Sequence, residues 1–196
     1  MKNYSTLIFN VFGLLATVFG VVLTAYSIQA LDKLHTLDWD SMQNAAKHVA
    51  KISRREFVPD YIVTPGQKGG IFAYLISEYY DREIPILTGY LISKEEAKPD
   101  TFDNNLLIQT RKWYVVLPKE ILNRSKQRVL IADDCVMGGT FMNELKTILC
   151  NNGYAPEQIR TCSIVTSQYS IDQDIEPDYY WKIIDSDFFF PWGKAK

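Results

Sequence analysis

Two adjacent carboxylates, Asp133 and Asp134, follow a short apolar run and stand just before a glycine-rich turn. The apolar run, residues 129–132, predicts a strand buried on both faces. A Gly-Gly-Thr turn at 138–140 comes next, and the amphipathic segment 141–150 predicts a helix. A strand, a tight turn and a helix start favour anion binding, because the first N–H groups of a helix lack internal partners and glycine allows close approach.

The acid pair needs a ligand group other than the anion, because like charges repel. Sugar hydroxyls fit two carboxylates, and so does a divalent cation with oxygen ligands. Thr140 adds a hydroxyl donor on the anion side. Aspartates that simply end a strand are the alternative reading of Asp133 and Asp134 taken alone. The full spacing, with Gly-Thr five and six positions after the second acid, is more specific.

This combination resembles the phosphoribosyl-pyrophosphate (PRPP) motif of the type I phosphoribosyltransferases. The resemblance implies that Asp133 and Asp134 hold the ribose 2′ and 3′ hydroxyls, and that the next loop binds the 5′-phosphate. The loop residues implied are Met137, Gly138, Gly139, Thr140 and Phe141. Met137 stands where many members carry an acid or a small hydroxyl residue, and Phe141 where many carry threonine. A thioether cannot take a proton, so the departure at Met137 argues against its acting as a base toward a purine.

The resemblance extends over about residues 37–192, in the order seen in bacterial xanthine/guanine-type phosphoribosyltransferases. Its segments are Leu37-Asp-Trp-Asp, Pro59-Asp-Tyr-Ile-Val, Lys68-Gly-Gly, the acid-pair loop, Pro177-Asp-Tyr-Tyr and Phe190-Pro-Trp192. In that family a glycine-rich turn before the first long helix binds pyrophosphate, usually with an arginine. Lys68, Gly69 and Gly70 take that place here; lysine keeps the charge but loses the fork that grips two oxygens. The resemblance therefore implies catalytic roles for Lys68 and the acid pair, with Mg²⁺ bound indirectly through ribose hydroxyls or water.

The base site is implied at two places. An aromatic segment near the C-terminus forms a hood over the purine in the family, which implies stacking by Phe190 and Trp192. Packing into a core is the alternative for at least one of the phenylalanines at 188–190. Purine-binding relatives also carry a lysine after the strand corresponding to 162–166, where this chain has Ser167 and Gln168. Gln168 would donate an uncharged amide hydrogen bond instead.

Strands alternate with helical stretches along the chain, which predicts an α/β fold with a parallel sheet and helices on both faces. The resemblance makes residues 32–196 a phosphoribosyltransferase-like (Rossmann-like) domain, with a small hood at 177–196. A second strand–glycine-loop–helix unit is predicted at 61–64, 65–70 and 71–80. Residues 93–112 predict a long polar loop. The resemblance implies that this loop folds over the reacting centre and excludes water.

The N-terminus predicts a single transmembrane helix within residues 1–31. No charged residue occurs between 3 and 31, and the apolar run 7–26 is long enough to cross a hydrocarbon core of about 30 Å. A cleaved signal peptide and a buried helix are the alternatives. Basic residues after this run predict that the large domain faces the cytoplasm, so the expected location is the inner (cytoplasmic) membrane, single-pass.

Composition narrows the function classes. A net charge of −2 argues against a nucleic-acid binder, and three scattered cysteines with two histidines have no metal-ligand spacing. The leading hypothesis is a membrane-anchored phosphoribosyltransferase-like protein that binds PRPP or a related nucleotide. The alternative is a catalytically altered nucleotide-sensing or effector (toxin) module of a bacterial defence system, with a homo-oligomer or a defence complex as its assembly.

Overall fold

The computed structural model describes residues 13, 15–24, 35–96, 102 and 104–194. Two compact units divide the chain: residues 1–36 with 186–196 form one, and residues 37–185 form the other. The first unit contains strands β1 (His35–Thr36), β10 (Phe188–Phe190) and β11 (Gly193–Lys194). The second contains helices α1 (Trp39–Ser53), α2 (Gln67–Ser77), α3 (Thr140–Asn151) and α4 (Gln168–Asp172), and strands β2 (Tyr61–Thr64), β3 (Ile86–Thr88), β4 (Tyr90–Ser93), β5 (Asn105–Gln109), β6 (Trp113–Pro118), β7 (Val129–Val136), β8 (Ile159–Thr166) and β9 (Tyr179–Ile183).

A five-stranded parallel sheet forms the centre of the larger unit, in the order β3-β2-β7-β8-β9. The two central strands are buried where the sequence is continuously apolar, at 61–63 and 129–132. Such runs are typical of parallel strands that are covered on both faces. The predicted α/β fold with a parallel sheet is therefore confirmed.

Helix α1 begins at a side-chain cap. The carboxylate of Asp38 accepts a hydrogen bond from the backbone N–H of Ser41 over 2.8 Å, so Asp38 is the N-cap. On the face of the helix that packs in the core, Met42, Ala45 and Val49 are fully buried.

Helix α2 starts earlier than predicted, at Gln67 rather than near Ile71. Lys68, Gly69 and Gly70 therefore form the first turn of the helix instead of a loop before it. Glycine costs about 1 kcal/mol in a helix interior relative to alanine, which favours a later start. Close contact between Gly69 in this turn and the sheet overrides that cost.

A second, antiparallel sheet occupies part of the segment predicted to be an irregular loop. Strand β6 pairs with β4 on one side and with β5 on the other. Strand β5 lies inside the predicted loop, residues 93–112. It forms a strand there because its apolar run ends in Ile108, which is 1% exposed and packs in the core with Leu117 and Phe141. Residues 97–101 and 103 of that segment lie outside the described residues, and its role as a lid remains a prediction.

The predicted membrane anchor is not supported. Helix is described for residues 15–24, which span about 15 Å at 1.5 Å per residue, half of the roughly 30 Å required. Among the residues that the structure describes, no helix combines the length and the apolar character needed to cross a bilayer. The inner-membrane, single-pass location is therefore wrong, because crossing a bilayer requires helix length as well as apolar character, and no helix of the described residues has both. The rest of the predicted span, residues 1–12, 14 and 25–31, lies outside the described residues.

Candidate functional site

The acid pair lies where the strand order of the sheet reverses. The chain leaves β2 toward β3 on one side, and leaves β7 toward β8 on the other. Pairing between β2 and β7 runs from Tyr61 with Val129 to Val63 with Ile131, so Asp133 stands just beyond the end of the neighbouring strand. In open α/β sheets this crevice, beyond the carboxyl ends of the strands, is where ligands bind.

Asp133 has a strongly perturbed environment. The backbone N–H of Asp134 donates to its Oδ1 over 2.9 Å. Burial of the carboxyl group, followed by the charge of Asp134, raises the pKa of Asp133 well above its ordinary value, while the charge of Lys68 opposes the shift. The structure thus brings Lys68 and Asp133, predicted from two separate motifs, into one electrostatic environment.

The first turn of α2 can approach the acid pair only because residue 69 is glycine. A Cβ on Gly69 would lie 2.2 Å from Oγ1 of Thr64 and 3.2 Å from both the carbonyl oxygen of Ala132 and Oδ1 of Asp133. At Gly70 the constraint is weaker, since a Cβ there would meet Oγ1 of Thr88 at 3.4 Å. The glycines predicted to bind an anion directly therefore also set the spacing between helix and sheet.

The turn after β7 is held on one side and open on the other. The hydroxyl of Ser167 donates to the carbonyl oxygen of Met137 over 2.8 Å, tying the turn to the end of β8. Gly139 caps α3 in the left-handed conformation, with φ 62°, and has no side chain that could occupy the N-terminal N–H groups. A Cβ on Gly138 would meet nothing within 4 Å, and Thr140 is exposed. The predicted phosphate loop therefore has space in front of its backbone.

Phe141 and Met137, at the two ends of the predicted loop, differ in the groups that they could present to a ligand. Phe141 is only 8% exposed and packs in the core with Leu145, so only its backbone faces the turn. Met137 is 46% exposed, which presents an apolar side chain and no proton acceptor.

Gln168, predicted to contact a base, bonds to neighbouring carboxylates. Its Nε2 donates to Asp172 over 2.9 Å, and its backbone N–H donates to Asp185 over 2.7 Å. Phe190 and Trp192 belong to the other compact unit, where their rings stack with centroids 4.9 Å apart and planes 16° apart. Phe190 is buried, which confirms the alternative expectation that at least one phenylalanine of 188–190 packs into a core.

The described residues contain no group of three or more histidine, cysteine or acidic side chains that could hold a metal ion. Asp133 and Asp134 are hard oxygen donors, and Mg²⁺ is usually bound by one or two carboxylates together with water and substrate phosphates. The donor set therefore fits a magnesium ion that arrives with a phosphorylated ligand, rather than one held by protein alone.

Two side chains help to shape the site although no role in it was predicted for them. The hydroxyls of Thr64 and Ser167 each donate to a carbonyl oxygen of a turn that is predicted to bind an anion, at Gly66 and Met137 respectively. The only signal was position, because each is a small hydroxyl residue at the end of a buried strand.

Comparison with known proteins bears on the fold. No protein-family model matches the sequence, and no curated protein is detectably similar to it. A purine phosphoribosyltransferase from Pyrococcus horikoshii Ot3 superposes with a TM-score of 0.62 at 18% identity, covering 84% of this chain and 96% of that one. The xanthine-guanine-hypoxanthine phosphoribosyltransferase of Helicobacter pylori gives 0.54 at 15% identity, covering 82% and 94%. The adenine phosphoribosyltransferase of Thermoanaerobacter pseudethanolicus ATCC 33223 gives 0.52 at 14%, covering 70% and 77%. The fold is thus that of the type I phosphoribosyltransferases.

Proposed function

We propose that this protein binds PRPP, or a closely related phosphorylated ribose, in the crevice between β2 and β7. The observation that carries the proposal is that Asp133 lies against Gly69 in the first turn of α2, while α3 begins shortly after the acid pair in the chain. Neither helix start, at Gly66 or at Gly139, has a side-chain cap. One diol ligand with an anionic group at each end matches this arrangement.

The start of α3 is the proposed site of the 5′-phosphate. Its N-terminal N–H groups lack intrahelical partners, and the hydroxyl of Thr140 is exposed beside them. The empty space at Gly138 leaves room for phosphate oxygens to approach the backbone.

The start of α2 is the proposed site of the pyrophosphate group. Lys68 lies in the first turn and supplies a positive charge, while Gly69 lets that turn approach the acid pair. Magnesium, when bound with the ligand, would supply further positive charge to the phosphate oxygens.

The reaction that these groups can assist is displacement of pyrophosphate from the anomeric carbon. The bond from that carbon to the pyrophosphate oxygen breaks, and the oxygen keeps the electron pair. The acceptor forms the new bond with its lone pair through an oxocarbenium-like state, and the proton that it releases passes to solvent. Asp133 and Asp134 orient the ribose through its two hydroxyls, and Lys68 stabilises the negative charge on the leaving group.

A second candidate function, nucleotide sensing without transfer, is favoured by the acceptor side of the site. The side chain of Met137 cannot accept a proton, and the amide of Gln168 already donates to Asp172. Neither of these two side chains therefore supplies a base for the acceptor.

Calorimetry with PRPP and Mg²⁺ tests the proposal. We expect binding by the native protein and a loss of at least tenfold in Asp133→Asn and Asp134→Asn, which keep the side-chain size but remove the charge. Glu144→Gln, on an exposed carboxylate of α3, is the matched control and should bind as the native protein does. Native protein that does not bind PRPP would refute the proposal.

Pyrophosphate release with a panel of nucleobases then separates the two candidates. Release that depends on both PRPP and one base supports transfer. Tight binding without release from any base supports the sensing function.

A further inference from the structure

Thr64 occupies a special position at the junction of β2 and α2. It is the last residue of the strand and is fully buried. Its hydroxyl donates to the carbonyl oxygen of Gly66 over 3.2 Å. The same carbonyl accepts the backbone N–H of Gly70 over 2.9 Å, which is the first hydrogen bond of α2. One strand side chain therefore holds the peptide group at which the helix begins.

The hydroxyl of Thr64 also lies between α2 and the acid pair. Oγ1 of Thr64, the carbonyl oxygen of Ala132 and Oδ1 of Asp133 all lie within 3.2 Å of the position that a Cβ on Gly69 would take. The first turn of α2 is thus seated against these three oxygens. A small displacement of that turn would change its separation from Asp133.

We propose that Thr64 is a positioning residue for the anion subsite at the start of α2. By fixing the peptide of Gly66, its hydroxyl sets the direction of the N–H groups at 67–69, which have no intrahelical partner and are the donors available to a diphosphate group. Thr64 itself is buried and does not touch the ligand. This inference rests on the proposed function, in which the subsite takes pyrophosphate.

The hydroxyl can be tested separately from the bulk of the side chain. Thr64→Val keeps the branched shape and removes the donor, whereas Thr64→Ser keeps the donor and removes one methyl group. In either variant the carbonyl of Gly66 retains its helical bond from Gly70, so no buried acceptor is left unpaired. The control is Thr88→Val, since Thr88 lies beside Gly70 and, among the described residues, its hydroxyl makes no hydrogen bond to α2.

The experiment compares two ligands by calorimetry. Magnesium pyrophosphate reports the start of α2, and ribose 5-phosphate reports the acid pair with the start of α3. We expect Thr64→Val to weaken pyrophosphate binding about three- to tenfold, the equivalent of one hydrogen bond, and ribose 5-phosphate binding less than twofold. Thr64→Ser and Thr88→Val should bind both ligands as the native protein does.

Three results would overturn the inference: unchanged pyrophosphate binding in Thr64→Val, equal weakening of both ligands, or a Thr64→Ser variant as weak as Thr64→Val. Native protein that binds neither ligand would instead show that the proposed function itself is wrong. Should Thr64→Val fail to fold in a urea titration, Thr64→Ala removes the same hydroxyl without adding bulk and replaces it in the comparison.

Discussion

Asp134 orients its neighbour through the backbone: its N–H donates to Oδ1 of Asp133 over 2.9 Å. That bond favours the charged carboxylate, but burial and the charge of Asp134 outweigh it and raise the pKa of Asp133. The chain therefore holds, in the part of β7 that extends beyond β2, an acid that is costly to ionise when no ligand is present. Such a group is better explained by ligand binding than by the stability of the fold.

Without ligand, the stability of the Asp133→Asn variant relative to that of the native protein should increase as the pH rises. A carboxyl group whose folded pKa is raised stabilises the fold below its unfolded pKa and loses that contribution as the pH rises through the folded pKa. Asparagine does not ionise and has no such loss. The free energy of unfolding of the variant, minus that of the native protein, should therefore increase from about pH 4 upward.

Urea titrations followed by circular dichroism, at a series of pH values, measure this difference. A difference for Asp133→Asn that does not change with pH would contradict the raised pKa of Asp133.

Much of the central sheet could be predicted from the sequence because its signals are local. The apolar run 129–132 predicts a buried strand, although β7 continues through Asp133 and Asp134 to Val136 because it pairs with β8. The start of α2 could not be predicted, because the packing of Gly69 against Thr64 and Asp133 is a tertiary contact that overrides helix propensity. Strand β5 was missed for a similar reason, since it forms only by pairing with β6 and burying Ile108.

Ser167→Ala should weaken the binding of a phosphate ligand while the protein still folds. The variant loses the bond from Ser167 to the carbonyl oxygen of Met137, which holds the turn before α3, and also the cap bond that the Ser167 hydroxyl accepts from the backbone N–H of Ser170. We expect ribose 5-phosphate to bind about three- to tenfold more weakly, the equivalent of one hydrogen bond. Calorimetry gives the affinity, and a urea titration shows whether the fold is intact.

Ser170→Ala is the matched control for the loss of a buried hydroxyl at this end of the sheet. Ser170 bonds to Thr166 and Ser167 but makes no bond to the turn. If Ser170→Ala weakens ribose 5-phosphate binding as much as Ser167→Ala does, the bond to Met137 is not what holds the loop.

Asp178→Ala should lower stability without changing ligand affinity. One oxygen of Asp178 accepts both the backbone N–H and the hydroxyl of Thr161, over 2.8 and 2.7 Å, and the hydroxyl accepts the N–H of Asp178 in return. These bonds fix the entry to edge strand β9 and leave two donors of β8 unpaired when removed, at a cost of about 1–3 kcal/mol. Asp172→Ala, whose carboxylate accepts only an exposed amide, should change stability by less than about 0.5 kcal/mol. Urea unfolding measures the stability of the two variants. Equal losses of stability would contradict the role assigned to Asp178.

Gly138→Ala and Gly139→Ala should distinguish two reasons for glycine in one turn: space for the ligand at Gly138 and a left-handed backbone at Gly139. At Gly139 a side chain meets a left-handed backbone, φ 62°, and its Cβ would lie 2.8 Å from the carbonyl oxygen of Ile175, so the variant should lose about 1–3 kcal/mol of stability. At Gly138 a Cβ meets nothing within 4 Å, so stability should change by less than about 0.5 kcal/mol. The new methyl group would nevertheless fill the space in front of the loop, and ribose 5-phosphate should bind at least tenfold more weakly. A Gly138→Ala protein that folds normally and keeps the native affinity in calorimetry would mean that the phosphate does not lie on the open side of this turn.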